Sequence, residues 1–335
     1  MNRNLIVVCL SFVLFSCQRN PFDVEIEEKE LDFAFVRLDQ EVFRSEIDDP
    51  LDRQTHLFAT YPEFYKEYFE KILRIGPVDD TTAAFDFQHI SNQIIFADSQ
   101  NEVDSVFFFD QQLREDFLSV LQYYHHYFPQ RKLPNIITMN SGFNYAVYPM
   151  KENLAIGLEF YLGENHRITN DLPHEQFPNY QKEKMDQDFL LGDAMRGYLL
   201  STNQNKIQGD KLINHFIYQG KVMYILNALM PFEKEHFQMG YTENELLWCE
   251  KNEFNIWKAI IDEDLVWSSD YKQIQRFTGF GPFTQGFPEE SPGMISLFIG
   301  KKIVLDFMNR NPEYSLEQLF NEKDEKVLNT YKPNK

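Results

Sequence analysis

Residues 211–231, KLINHFIYQGKVMYILNALMP, wind into a helix that is apolar on nearly every side. Leu212, Ile213, Phe216, Ile217, Gly220, Met223, Tyr224 and Leu226 recur at spacings of three and four, with Val222 and Ile225 on the flanks. A helix hydrophobic all round has to be buried all round, so every fold that leaves this segment on a surface is excluded. Pro231 ends it, because proline cannot continue the backbone ladder. Gly220 sits mid-helix, where glycine costs about 1 kcal/mol relative to alanine; such a residue marks a close approach by another backbone. This is the predicted central helix, and its polar members Gln219 and Lys221 are more readily core hydrogen-bonding or snorkelling groups than reactive ones.

The rest of the chain can supply that burial. It has 335 residues, 43% of them hydrophobic, enough for one large domain, and 32 Phe with 17 Tyr make the core aromatic. A net charge of −20 excludes nucleic acid as a partner, since phosphates demand clustered Lys and Arg. It also disfavours electrostatic attachment to anionic lipid. A basic protein surface is the partner that such a charge suits, though solubility alone would account for it.

Membrane attachment is instead written at the start. Arg3 precedes an apolar run from Leu5 to Phe15, too short to span a bilayer. It ends in Leu14-Phe15-Ser16-Cys17, the bacterial lipobox pattern, in which the cysteine receives the lipid. Acyl chains stabilise attachment by about 0.8 kcal/mol per buried CH₂. Residues 1–16 are then a signal peptide, 17–30 an acidic tether, and 31–335 one globular domain. Cys9 leaves with the signal and Cys17 is acylated, so Cys249 is the remaining thiol and no internal disulfide forms.

Along the domain, FAFVRLD (33–39) alternates like a strand, and residues 50–76 form two helical stretches. Phe64, Tyr65, Tyr68, Phe69 and Ile72 make an apolar stripe there, a core signature rather than a ligand box. The 112–127 segment places Leu113, Phe117, Val120, Leu121 and Tyr124 on one face, and the adjacent His125 and His126 point too far apart to share an ion. Residues 135–140, 145–150 and 154–158 are short strands. Few strands among many helices predict an α+β domain, mostly helical with a small three- to four-stranded sheet.

Residues 186–200 read as a helix carrying Asp193 and Arg196. Residues 241–265 read as another, with Leu246, Leu247, Phe254, Trp257 and Ile261 inward. The stretch FTGFGPFTQGFPEESPG (277–293) reads as a packed surface loop before a groove. Ser291-Pro292-Gly293 opens the last major helix, with Ser as N-cap and Pro in the first turn. Gly300 is a second close-contact glycine.

Chemistry is thin. No P-loop, CxxC, G-x-S-x-G or HExxH occurs. His174-Glu175 is followed by Pro178 where a zinc peptidase needs its second histidine. No metal site, cofactor or catalytic residue is expected.

Several stretches together resemble the GldB gliding-motility lipoprotein family of the Bacteroidetes: the lipobox, FNYAVYPMKENLAIGLEFYLG (143–163), LINHFIYQGKVMYILNALMP (212–231), GYTENELLWCEKNEFNIWKAIIDEDLVWSSD (240–270), and GPFTQGFPEESPG followed by FIGKKIV (298–304). The resemblance implies a palmitate-bearing lipoprotein facing the periplasm, partnered by other motility and secretion proteins, with no known enzymatic activity. It also implies a zincin-like scaffold that has lost its metal, a pseudoenzyme. Residues 186–200 would stand where an HExxH helix belongs and Gln219-Gly220 where Glu-Gly belongs. A neutral amide is a poor zinc ligand. Met294 and Phe298 stand where the resemblance leads one to expect Arg and Trp. The residues singled out are Cys17 for lipidation, and Arg196, Gln219, Gly220, Lys221, Ser291, Pro292, Gly293 and Gly300 for structure or interaction. Two alternatives stand beside a non-catalytic interaction protein: a metallopeptidase-like hydrolase, and a peptidoglycan- or glycan-binding module using the aromatic loop.

Overall fold

The computed structural model describes residues 21–334 apart from Glu28, so the lipidation residue Cys17 lies outside the described residues. In chain order, β1 (Phe35–Arg37) leads into α1 (Leu38–Phe43), α2 (Pro50–Thr60), α3 (Pro62–Glu67), a π-helical turn (Tyr68–Ile72), α4 (Thr81–Ser91), α5 (Ile94–Val106) and α6 (Asp110–Tyr127). Next come β2 (Asn135–Met139), β3 (Val147–Pro149), β4 (Asn153–Gly157), α7 (Arg167–Asp171), α8 (Asn179–Lys182), α9 (Gln187–Thr202) and α10 (Leu212–Leu229). The chain closes with α11 (Glu235–Met239), α12 (Glu243–Asp262), α13 (Tyr271–Thr278), α14 (Ser296–Arg310), α15 (Leu316–Asn321) and α16 (Asp324–Leu328). It is a mostly helical α+β fold. None of these helices is long and apolar enough to cross a membrane.

The four strands form one sheet in the order β1-β2-β4-β3, parallel except for β3 against β4. Side chains alternate across it. Ile136, Leu154 and Ile156 face the larger core with α6, α9, α10 and α14, while Ile137, Met139 and Ala155 face a smaller core built by α2, α3, the π turn and α4. Covered on both faces, the strands read as short apolar runs rather than amphipathic ones. At the end of β1 the buried Asp39 carboxylate accepts from Arg37 Nε and Nη2 (2.9 and 2.7 Å), from Gln100 Nε2 (3.1 Å) and from the Thr138 hydroxyl, fastening β1, β2 and α5 together.

α10 is the buried centre: every residue on it is buried except Asn214, His215, Gln219 and Asn227. It crosses α14 where both lack a side chain. A Cβ on Gly220 would stand 2.0 Å from the Gly300 carbonyl oxygen, and one on Gly300 would stand 2.0 Å from that of Phe216. Near the crossing's sides two lysines are buried with partners. Lys221 Nζ lies 3.0 Å from Asp324 and donates to the Glu322 carbonyl at 2.7 Å, while Lys301 Nζ lies 3.0 Å from Glu235.

Two sequence expectations need correction. α14 starts at Ser296, not at 291–293. Met294 adopts a left-handed φ of 54°, which breaks the helical path before it, and the Ser291 hydroxyl instead donates to the Pro288 carbonyl at 2.7 Å. On α12 the inward residues are Cys249, Glu253, Ile256 and Ile260, whereas Leu247 and Ile261 are exposed. Leu246 and Trp257 pack against the larger core as expected, but the inward stripe also carries a charge, Glu253, which accepts from Tyr331 OH (3.2 Å) and Asn334 Nδ2 (3.0 Å) of the C-terminal segment.

The described part of the acidic tether is also not free. Phe22 meets Tyr224 and Tyr127 edge-on at 5.3 and 6.2 Å, and Gln122 Nε2 donates to the Lys29 carbonyl at 2.6 Å. Phe22→Ala is expected to release this segment: limited proteolysis should cut within residues 22–31 faster than in wild type, while global stability falls by less than about 2 kcal/mol, the scale of one such apolar side chain. Unchanged cleavage would mean that Phe22 does not hold the segment.

Candidate functional site

α9 runs under the sheet, capped by the Asp186 carboxylate, which accepts from the Asp188 amide at 3.1 Å. Its i,i+3 pair Asp193 and Arg196 opens onto a cavity of about 160 Å³. Ala146, Phe160 and Tyr161 close one side, Phe177, Tyr180, Lys184 and Met185 another, and Tyr241, Phe280, Gly281, Gly293 and Met294 a third. Most of the wall is carbon. Phe280, on the glycine-rich loop, is 77% exposed at the mouth.

The polar groups are held in place by each other. Asp193 pairs with Arg196 Nη2 and accepts from Tyr161 OH at 3.4 Å; Arg196 Nη1 donates to the Gln238 carbonyl at 2.8 Å. Gly240, at φ 67°, packs on the guanidinium so closely that a Cβ would stand 2.8 Å from Nη2. Lys184 Nζ is 2.9 Å from Glu245, and Tyr241 OH donates to the Met294 carbonyl at 2.8 Å. Burial, reinforced at Tyr161 by Asp193, pushes both tyrosines well above their ordinary pKa, so they remain hydrogen-bond donors. The one free thiol among the described residues, Cys249, is buried and does not line this cavity, and burial raises its pKa far above neutrality. The arrangement offers an apolar recess with fixed donors, suited to binding.

Of the residues singled out in the sequence, Arg196 and Gly293 meet at this cavity. Ser291 and Pro292 fasten its loop, the Pro292 carbonyl accepting from the Thr284 hydroxyl at 2.8 Å. The loop is therefore more than surface packing. Lys221, Gly220 and Gly300 lie in the helical core, and Gln219 Oε1 is buried with no hydrogen-bond partner among the described residues. Phe298 is fully buried in that core. No group of three or more His, Cys, Asp or Glu among the described residues is placed to hold a metal ion. α9 carries no histidine and Gln219 offers only an amide, so the residues present do not fit a zinc ion.

Sequence reasoning missed Tyr161, Lys184 and Tyr241, which come from separate segments. It also missed Glu159, although a lone carboxylate inside LAIGLEFYLG was a visible signal. Glu159 is fully buried beside the 141–145 turn. Its Oε1 accepts from the Ser141 and Phe143 amides (2.8 and 3.1 Å) and the Ser141 hydroxyl (2.5 Å), while Oε2 has no partner among the described residues. Burial outweighs these bonds and raises its pKa from 4.5 to about 7. With the folded value raised, the native state holds this proton more tightly than the unfolded chain. Its contribution to stability is thus complete below pH 4.5 and is lost as pH climbs to about 7. The loss is on the order of 3 kcal/mol. Glu159→Gln should remove this component: the wild-type-minus-variant difference in urea stability should slope between those pH values, and a flat difference would contradict the assignment.

No curated protein and no solved structure gives a significant match to this chain. The family described as gliding motility protein GldB matches residues 19–333, nearly the whole length, and the chain belongs to that family.

Proposed function

We propose that the protein is a lipid-anchored, non-catalytic component of the gliding-motility apparatus and its linked secretion machinery, which works by holding other envelope proteins. The observation that carries this reading is the cavity beside α9. Its ionic groups are engaged with each other, Asp193 with Arg196 and Lys184 with Glu245, and its open surface is aromatic and aliphatic. Such a recess recognises an apolar group. Family membership supports the setting, and the lipobox cysteine Cys17 supports anchoring on the periplasmic side of a membrane.

Affinity purification from crosslinked native membranes, followed by mass spectrometry, tests the reading. Motility or secretion proteins should be recovered with wild type and lost with a variant whose cavity is filled, Ala146→Phe. Equal recovery with both variants would remove the cavity from the interaction. Zinc bound to the purified protein together with peptide cleavage would replace the reading by a hydrolase.

A further inference from the structure

Across the glycine-rich loop from the first cavity lies a larger, more open hollow of about 740 Å³, and Tyr180 lines both. Its floor includes Leu247, 40% exposed, and Trp248; Pro282 and Phe283 form the shared wall. Its rim holds Glu183, Glu289 and Glu290, all exposed and without an ion-pair partner among the described residues, against the single cation Lys251. Glu245, also on this rim, is already paired with Lys184.

We propose that the two hollows form one docking site for an extended segment of a partner polypeptide, which inserts a single large apolar side chain into the smaller cavity and lays basic side chains along the carboxylate rim. This rests on the binding function proposed above and adds the chemistry of the partner.

Size selects the anchor. The smaller cavity, about 160 Å³, is close to the roughly 150 Å³ at which an apolar protein cavity accepts benzene. One aromatic or branched aliphatic side chain fits, and an extended acyl chain does not.

Charge selects the flanks. The cavity end is balanced, because Arg196 is neutralised by Asp193, and the guanidinium donors left over after Asp193 and Gln238 suit a neutral acceptor such as the carbonyl of the anchoring residue. The rim is net negative, three unpaired carboxylates against Lys251, on a chain of net charge −20, so an acidic segment is repelled and a basic one attracted. A single buried anchor surrounded by a polar rim is the usual anatomy of a binding hot spot.

Fluorescence anisotropy on the full-length protein in detergent, with a labelled peptide carrying one tryptophan followed by a run of lysines, tests this. Saturable binding is expected, weakened about tenfold or more when tryptophan is replaced by serine. Replacing the lysines by glutamates should abolish it. The rim variant Glu289→Gln/Glu290→Gln should bind the parent peptide about three- to tenfold more weakly and with a shallower salt dependence. Ala146→Phe should lose the tryptophan preference; should that variant not fold, the rim variant and the serine peptide still decide. Equal affinity for the serine or glutamate peptide, or no saturation, overturns the proposal. If the peptide fails to bind while Ala146→Phe cells still lose gliding, the partner chemistry is wrong and the binding function stands.

Discussion

Gly300→Ala will destabilise the protein by about 4 kcal/mol or more, an effect outside the ordinary range for one methyl group. The added carbon would lie 2.0 Å from the Phe216 carbonyl oxygen, and backbone on a buried helix has no rotamer through which to retreat. α10 and α14 must separate by more than an ångström, and packed interiors transmit such strain rather than absorb it. Alanine favours helix over glycine by about 1 kcal/mol, which offsets only a fraction. Gly220→Ala meets the reciprocal clash with the Gly300 carbonyl and should behave alike. Urea titration checks this. A loss below about 1 kcal/mol for either would mean that the helices do not cross here.

Lys221→Ala should cost about 3–5 kcal/mol, the range for breaking a buried pair from one side. Lys221 is 1% exposed, and its ammonium is shared by the Asp324 carboxylate and the Glu322 carbonyl. Removing it strands Asp324, which keeps only Asn214 Nδ2 at 2.9 Å and no cation. The double replacement Lys221→Met with Asp324→Leu should recover most of the loss, because two apolar groups leave no buried charge unmatched. A double variant as unstable as the single one would show that Lys221 acts through packing of its stem and not through the pair.

These effects sit where the sequence was most legible. The all-round apolar pattern of α10 placed it at the centre, and the mid-helix glycines Gly220 and Gly300 announced a close approach because nothing else justifies their cost in a helix. The strands were visible as β-branched runs. Their order was not: β1 pairs with β2 through Phe35 and Ile136, and no local pattern reports a partner so far along the chain. The α12 face was legible in part: Leu246 and Trp257 do pack on the core, but inward Glu253 disguises the rest of the stripe, because Tyr331 and Asn334, which bind it, come from far along the chain. The cavity was half legible. Asp193 and Arg196 stood out on an apolar helix, but Tyr161, Lys184, Tyr241 and Met294 join them only through tertiary folding.

The most direct test of the proposed function is the gliding speed of cells lacking this gene and complemented with wild type, Cys17→Ser or Ala146→Phe. Wild type should restore movement, and neither variant should, although each accumulates to wild-type level. Gliding at normal speed with the filled cavity would contradict a binding role for the site beside α9.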